Sequence, residues 1–94
     1  FINVDDVCDC ISFLMNNSPV NEIYNVGFGR PMCFLDLMEF CKKELNSISK
    51  INSIEPPPFH NICQTRDFWM DTTKVQKLGW KPKIPIYEGL KTLL

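Results

Sequence analysis

Short apolar runs alternate with segments of helical periodicity along this chain, and this alternation constrains its fold more than any other feature. The runs at residues 1–4, 22–26 and 50–54 have the length and the β-branched or aromatic content of strands. Apolar residues recur at helical spacing over residues 7–15 and 34–45. Because strands that alternate with helices of this length are typical of layered α/β proteins, we predict an α/β fold with about four helices.

Capping signals define where two of these helices should begin and end. Asp5 and Asp6 can cap a helix that begins near Val7, because their carboxylates accept hydrogen bonds from the first backbone amides. Asp71 can do the same for a helix over residues 72–78. Gly79 then suits the left-handed conformation that closes a helix.

A last helix is predicted from about Ile86 to Leu94, because Pro85 has the fixed φ that suits a helix start. The segment before the Asp71 helix is different. Residues 55–64 contain three consecutive prolines, which favour an extended connector without backbone hydrogen bonds. We therefore predict a loop there.

Charge and hydropathy argue against two classes of partner. Residues 1–46 hold seven acids and three bases, whereas residues 47–94 hold four acids and seven bases. This mild basic excess falls far short of the clustered Lys and Arg patch of a nucleic-acid-binding protein. No apolar run approaches the roughly 18 residues of a membrane helix. We therefore predict no nucleic-acid partner and no membrane span.

The five cysteines form an odd set without any C-x-x-C spacing. We therefore predict neither a disulfide scaffold nor a tetrahedral zinc site. Instead we predict reduced thiols in a cytoplasmic protein. The chain also opens on Phe1 and enters an apolar run at once. We interpret the 94 residues as a single unit that begins in the middle of a larger fold.

Two short patterns suggest cofactor or catalytic chemistry, but each has a simpler explanation. Gly27 and Gly29 begin the spacing G-x-G-x-x-G, yet Met32 occupies the third glycine position, and a tight turn explains the two glycines. Tyr87 and Lys91 have the Y-x-x-x-K spacing of a tyrosine acid/base, but any helix places such a pair on one side. We therefore predict no catalytic, cofactor-binding or metal-binding residue in this chain.

Polar residues in the proline-flanked segment are better candidates for a ligand site. His60 is the only histidine, and it is either a general acid/base without a visible partner or a polar loop residue. Arg66 lies beside Asp67 in a predicted connection between strand and helix. An arginine there can hold a diphosphate with two parallel hydrogen bonds, although a plain surface ion pair explains the pair equally well.

Several stretches resemble, in order, the C-terminal part of the extended short-chain dehydrogenase/reductase family, which includes the nucleotide-sugar epimerases and dehydratases. Residues 1–7 resemble the F-x-x-V-D-D-V pattern of that family, and residues 24–29 resemble Y-N-V-G-x-G. Residues 71–90 resemble the ending D-x-x-K…L-G-W-x-P…E-G-L. The resemblance covers nearly the whole chain.

The resemblance implies that this chain is the substrate-binding portion of an extended Rossmann-type enzyme. In such enzymes an N-terminal Rossmann portion binds NAD or NADP and carries the catalytic residues, and that portion is absent here. The resemblance therefore implies a nucleotide-sugar substrate, no cofactor bound by this chain alone, and no activity by itself. It is also compatible with a homodimeric complete enzyme. The alternative is a non-catalytic interaction or regulatory module derived from the same fold.

The family often has an arginine in an R-P-G-D loop about ten residues before the aspartate that matches Asp71. This chain has Asn61 at that position, and its nearest arginine is Arg66, five residues before Asp71. The candidate substrate-binding residues that the resemblance implies are therefore Arg66, Asp67, Asn61 and His60.

Overall fold

The computed structural model describes residues 1–64 and 67–94 of the chain. This part contains five helices connected by segments without regular structure. In chain order they are α1 Val4–Asn17, α2 Phe34–Glu44, α3 Pro58–Cys63, α4 Thr73–Lys77 and α5 Ile86–Lys91.

The prediction of an α/β fold with alternating strands is wrong for this chain. Residues 1–64 and 67–94 contain no strand, and residues 22–26 and 50–54 are irregular. A strand requires backbone hydrogen bonds to a neighbouring strand. Here every described backbone-to-backbone hydrogen bond outside the helices is local, and none spans more than the separation between Lys42 and Ser47. The apolar runs therefore have the amino-acid composition of strands but, in the part of the chain that the structure describes, no neighbouring segment with which to form a sheet.

Helix α1 begins earlier than its capping signals predicted. Asn3, rather than Asp5 or Asp6, is the N-cap, and its Oδ1 accepts the Asp5 N–H at 2.8 Å. Val4 is thus the first helical residue instead of the last residue of a strand. Asp5 and Asp6 lie in the first turn, where negative charge is favourable.

Helix α2 confirms the prediction made from its periodicity, whereas α3 contradicts the predicted loop. Pro58 occupies the first position of α3, where its fixed φ suits a helix and its missing N–H has no cost. The carbonyl of Pro57 accepts the N–H groups of His60 and Asn61 at 2.9 and 3.4 Å. The proline run therefore ends in a short helix rather than continuing as an extended connector.

The C-terminal helices form near their sequence signals, with shifted ends. Asp71 Oδ1 accepts the Thr73 N–H at 2.8 Å, but Thr72 rather than Asp71 is the N-cap, and α4 is shorter by one residue at each end than the predicted helix over residues 72–78. Gly79 has φ of 109°, in the region that favours glycine, and closes this helix as predicted. Helix α5 begins at Ile86, directly after Pro85, and ends at Lys91, before the predicted end.

A small core joins α1 to α4 and to the segment that follows α4. Cys10, Val75 and Trp80 are buried together, and they are flanked by partly buried side chains, namely Ile2, Phe13, Leu14, Tyr24 and Val26. Helices α2 and α5 make a second contact, in which the rings of Phe40 and Tyr87 lie 4.7 Å apart. Because the core is small, polar contacts carry much of the remaining organisation.

Two carboxylates on α1 hold the turn after Trp80. Asp6 is buried, and its two oxygens accept the backbone N–H groups of Lys83 and Ile84 at 2.9 and 3.0 Å. Asp9 accepts Trp80 Nε1–H at 2.9 Å and pairs with Lys83 Nζ at 3.0 Å. These hydrogen bonds, from Trp80 first and then Lys83, hold the pKa of Asp9 below its ordinary value. The acidic residues of α1 therefore do more than favour the helix start, because Asp6 and Asp9 also make tertiary contacts with residues 80–84.

Within residues 1–64 and 67–94, every helix is too short or too polar to cross a membrane.

Candidate functional site

A cleft of about 370 Å³ lies between two irregular segments near the N-terminus of the chain. One wall is the loop of residues 26–32, and the other is residues 68–70. Phe1 and Ile2 close one end. Pockets of this size are large enough for a small-molecule ligand.

Two glycines allow the loop to lie close to the rest of the molecule. Gly27 is buried, and a Cβ on it would lie 3.5 Å from Met70 Cβ. Gly29 has φ of 78°, and a Cβ on it would lie 2.6 Å from Oγ1 of the buried Thr72. The G-x-G spacing therefore serves a tight turn, as the sequence predicted, and Gly29 is fixed by both its φ and its neighbour.

A long-range hydrogen bond holds the two walls beside each other. Asn25 Nδ2–H donates to the Asp71 carbonyl at 3.2 Å, directly before the loop on one side and directly after residues 68–70 on the other. The two walls of the cleft are thus far apart in the sequence, although Asn25 and Asp71, which flank them, are in contact.

The described side chains of the cleft combine aromatic surface with the guanidinium of Arg30. The Arg30 guanidinium carbon lies 4.6 Å from the centre of the Phe28 ring. Phe68 and Trp69 are 70% and 52% exposed. Such a site can bind a planar group by stacking and an anion by charge-assisted hydrogen bonds.

Sequence reasoning did not identify Phe28, Arg30, Phe68 or Trp69 as candidate site residues. The signal that could have found them is the turn itself. Glycines that flank an aromatic residue and precede an arginine place both side chains on a loop, where binding residues are common.

Of the four predicted substrate-binding residues, the structure describes three. His60 and Asn61 lie side by side on α3, exposed, and line a surface cavity of about 300 Å³. His60 Nδ1 lies 3.3 Å from Gln64 Oε1, a contact within one turn of the chain. Asp67 is exposed and directly precedes the Phe68 wall of the cleft. Arg66 lies outside the described residues.

The predicted residues do not form one cluster in the described part of the chain. No hydrogen bond or ion pair there joins Asp67 to His60 or Asn61, although Asp67 is adjacent in sequence to the aromatic cleft. We therefore treat the cleft and the α3 surface as two separate places where a ligand could make contact.

Tyr87 and Lys91 have structural contacts. The Tyr87 hydroxyl lies 3.7 Å from Met32 Sδ, and its ring packs on Phe40. Lys91 Nζ lies 3.8 Å from a Glu88 carboxylate oxygen on the same helix. In the described ranges, no group of three or more His, Cys, Asp and Glu side chains could hold a metal ion.

Comparison with curated proteins finds relatives along nearly the whole chain. The chain is 36% identical to the probable GDP-L-fucose synthase 1 of Oryza sativa subsp. japonica and 33% identical to the putative GDP-L-fucose synthase 2 of Arabidopsis thaliana, with 96% of this chain covered in each case. It is also 33% identical to the dTDP-D-glucose 4,6-dehydratase of Mus musculus over 97% of this chain. No family model and no solved structure matches.

In each of these three comparisons the chain spans only 26% of the relative's length. The chain therefore matches only a part of each relative, and the match takes in nearly the whole of this chain, which contains the motifs at residues 1–7, 24–29 and 71–90. The resemblance to the nucleotide-sugar epimerases and dehydratases of the extended short-chain dehydrogenase/reductase family is therefore confirmed, and the coverage is consistent with the C-terminal part of such a protein.

Proposed function

We propose that this chain is the nucleotide-sugar-binding part of an NAD(P)-dependent epimerase or dehydratase and that it is inactive by itself. One observation carries the proposal. The relatives that match nearly the whole chain are named for GDP-L-fucose and dTDP-D-glucose, which are sugars joined to a nucleoside diphosphate. A part that binds such a ligand needs contacts for a flat base, for a diphosphate and for sugar hydroxyls.

The cofactor in this proposal, NAD or NADP, is bound by a portion of the protein outside these 94 residues. The one glycine-rich turn of the chain serves packing instead. Gly29 lies against Thr72, and Pro31 follows within the same loop. A dinucleotide-binding turn needs a third glycine and must lead into a helix whose first amides face the pyrophosphate.

Four residues of this chain are proposed to contact the substrate. Arg66 donates two parallel hydrogen bonds to the diphosphate, as its planar guanidinium allows. Asp67 accepts a hydrogen bond from a hydroxyl group of the sugar or ribose. His60 and Asn61 are exposed on α3 and supply further polar contacts.

Arg66 provides a test of the substrate-binding role. In the full-length protein, the complete natural chain that contains these residues, Arg66→Ala should weaken nucleotide-sugar binding by about 1.5 to 3 kcal/mol, because two charge-assisted hydrogen bonds are lost. Arg66→Lys should restore only part of the affinity, since an ammonium group cannot form the parallel pair. Steady-state kinetics with the preferred nucleotide sugar measures this as an increase in KM.

Lys81→Ala is the matched control, because Lys81 is an exposed cation without a described hydrogen bond or ion pair in residues 1–64 and 67–94. It should leave KM unchanged. If Arg66→Ala has the KM and kcat of the natural protein, Arg66 does not contact the substrate.

The apolar surface of α1 favours a second candidate function, that of a non-catalytic interaction or regulatory module. Val4, Ile11 and Met15 are 69%, 53% and 82% exposed and recur at helical spacing on one face. Another part of the protein or a separate partner would cover such a face. A full-length sequence that lacks a dinucleotide-binding glycine turn and a Y-x-x-x-K pair would support this candidate, and one that has both would exclude it.

We further propose a cytoplasmic location and a homodimeric complete enzyme. All five cysteines, including the buried Cys10, are free thiols in the structure, and a reducing compartment preserves that state.

A further inference from the structure

We propose that Arg30 binds a phosphate group of the nucleotide, with the base stacked on the aromatic walls of the cleft formed by residues 26–32 and 68–70. This inference rests on the proposed function and adds a binding residue that the motifs of the chain do not indicate. Three properties of Arg30 support it: a restricted backbone, a guanidinium that lies over an aromatic ring, and no competing anion among the residues that the structure describes.

The backbone on both sides of Arg30 is restricted. Gly29 has a left-handed φ of 78° and lies against the buried Thr72, whose Oγ1 accepts a hydrogen bond from Gln76 at 2.7 Å. Pro31 has a φ fixed by its ring. A binding residue whose backbone is already fixed loses less conformational entropy when the ligand binds.

The guanidinium of Arg30 is oriented by an aromatic ring. It lies over the Phe28 ring at 4.6 Å from the ring centre, within the range of a cation–π contact. An arginine stacked in this way keeps its N–H groups at the edge of the guanidinium plane, where they can meet two phosphate oxygens. The stacking therefore leaves the donors of Arg30 available.

No described anion neutralises Arg30. Among residues 1–64 and 67–94, the ion pairs join Lys74 to Glu22, Lys83 to Asp9 and Lys91 to Glu88, and no hydrogen bond of the Arg30 guanidinium is formed. None of the described residues that line the cleft is acidic. The charge of Arg30 thus lies at a cleft whose described lining offers aromatic surface and no carboxylate.

The remaining walls suit a flat, partly polar group. Phe1, Phe68 and Trp69 line the cleft with substantial exposed area, and a base can stack favourably on such aromatic side chains. A nucleoside diphosphate combines such a base with the anion that Arg30 can bind. A purely apolar ligand would leave the arginine without a partner.

The test compares ligands that differ only in the phosphates. Isothermal titration calorimetry of the full-length protein, saturated with NAD or NADP to occupy the cofactor site, would measure the affinity for GDP, dTDP and UDP and for the matching nucleosides. Arg30→Ala should weaken binding of the preferred diphosphate about ten- to a hundredfold and leave binding of its nucleoside unchanged. Arg30→Lys should lie between the two, and Lys81→Ala should match the natural protein.

The outcomes separate this inference from the proposed function. If the natural protein binds a diphosphate and Arg30→Ala binds it equally well, Arg30 is a surface residue and only this inference fails. If Arg30→Ala weakens nucleoside and diphosphate alike, the effect is structural and the inference also fails. If the natural protein binds none of the three diphosphates, both the proposed function and the role of Arg30 are wrong.

Discussion

Replacement of Asp6 by alanine should lower the free energy of unfolding by about 2 to 4 kcal/mol, because it leaves two partly buried N–H donors without acceptors. The Asp6 side chain is only 2% exposed. Its two oxygens accept the amides of Lys83 and Ile84, and these contacts hold the segment after Trp80 against α1.

Urea unfolding of the full-length protein, with hydrogen exchange at the amides of Lys83 and Ile84, measures this effect globally and locally. Asp6→Asn should be intermediate, since the amide keeps one acceptor oxygen. Asp5→Ala is the matched control, because Asp5 is exposed in the same helical turn and should cost at most about 1 kcal/mol through the helix dipole. Equal losses for Asp5→Ala and Asp6→Ala would show that the Asp6 contacts do not hold the segment.

The second large effect is expected at Gly29. Gly29→Ala should cost about 2 to 4 kcal/mol, because a side chain at φ of 78° is strained by about 1 to 2 kcal/mol and the new Cβ would also clash with Thr72 Oγ1. Thr72 is buried and cannot move away freely. The substitution should also displace the loop that carries Arg30, so that nucleotide binding weakens.

Gly79→Ala separates the two causes. Gly79 also has a left-handed φ, of 109°, but a Cβ on it would meet nothing within 4 Å. Thermal unfolding should therefore show only the backbone strain at Gly79, and a larger loss at Gly29. Equal losses in the two variants would mean that the contact with Thr72 contributes nothing.

Local sequence signals were sufficient for some elements and insufficient for others. Signals that depend on near neighbours were sufficient. The apolar spacing of residues 34–45 predicted α2, and Gly79 and Pro85 predicted the end of α4 and the start of α5. A strand, by contrast, depends on a partner segment. Residues 22–26 have the composition of a strand and no backbone partner in the described chain, so composition alone led to the wrong fold class.

Long-range contacts were equally hidden from the sequence. Asp6 was predicted as a helix cap, but its partner Lys83 lies 77 positions later. The cleft also depends on a long-range contact. The hydrogen bond between Asn25 and Asp71 holds the loop that carries Phe28 beside the segment that carries Trp69. The predicted residues His60 and Asn61 share a helix that the proline run did not indicate.

The central claim is that these 94 residues are the nucleotide-sugar-binding part of a larger enzyme. The most direct measurement is turnover of GDP-, dTDP- and UDP-sugars in the presence of NAD or NADP, detected by mass spectrometry of the sugar products, for the full-length protein and for the 94-residue chain side by side. We expect the full-length protein to convert at least one of these nucleotide sugars and the isolated chain to convert none. Turnover by the isolated chain, or a full-length protein that converts no nucleotide sugar, would contradict this account.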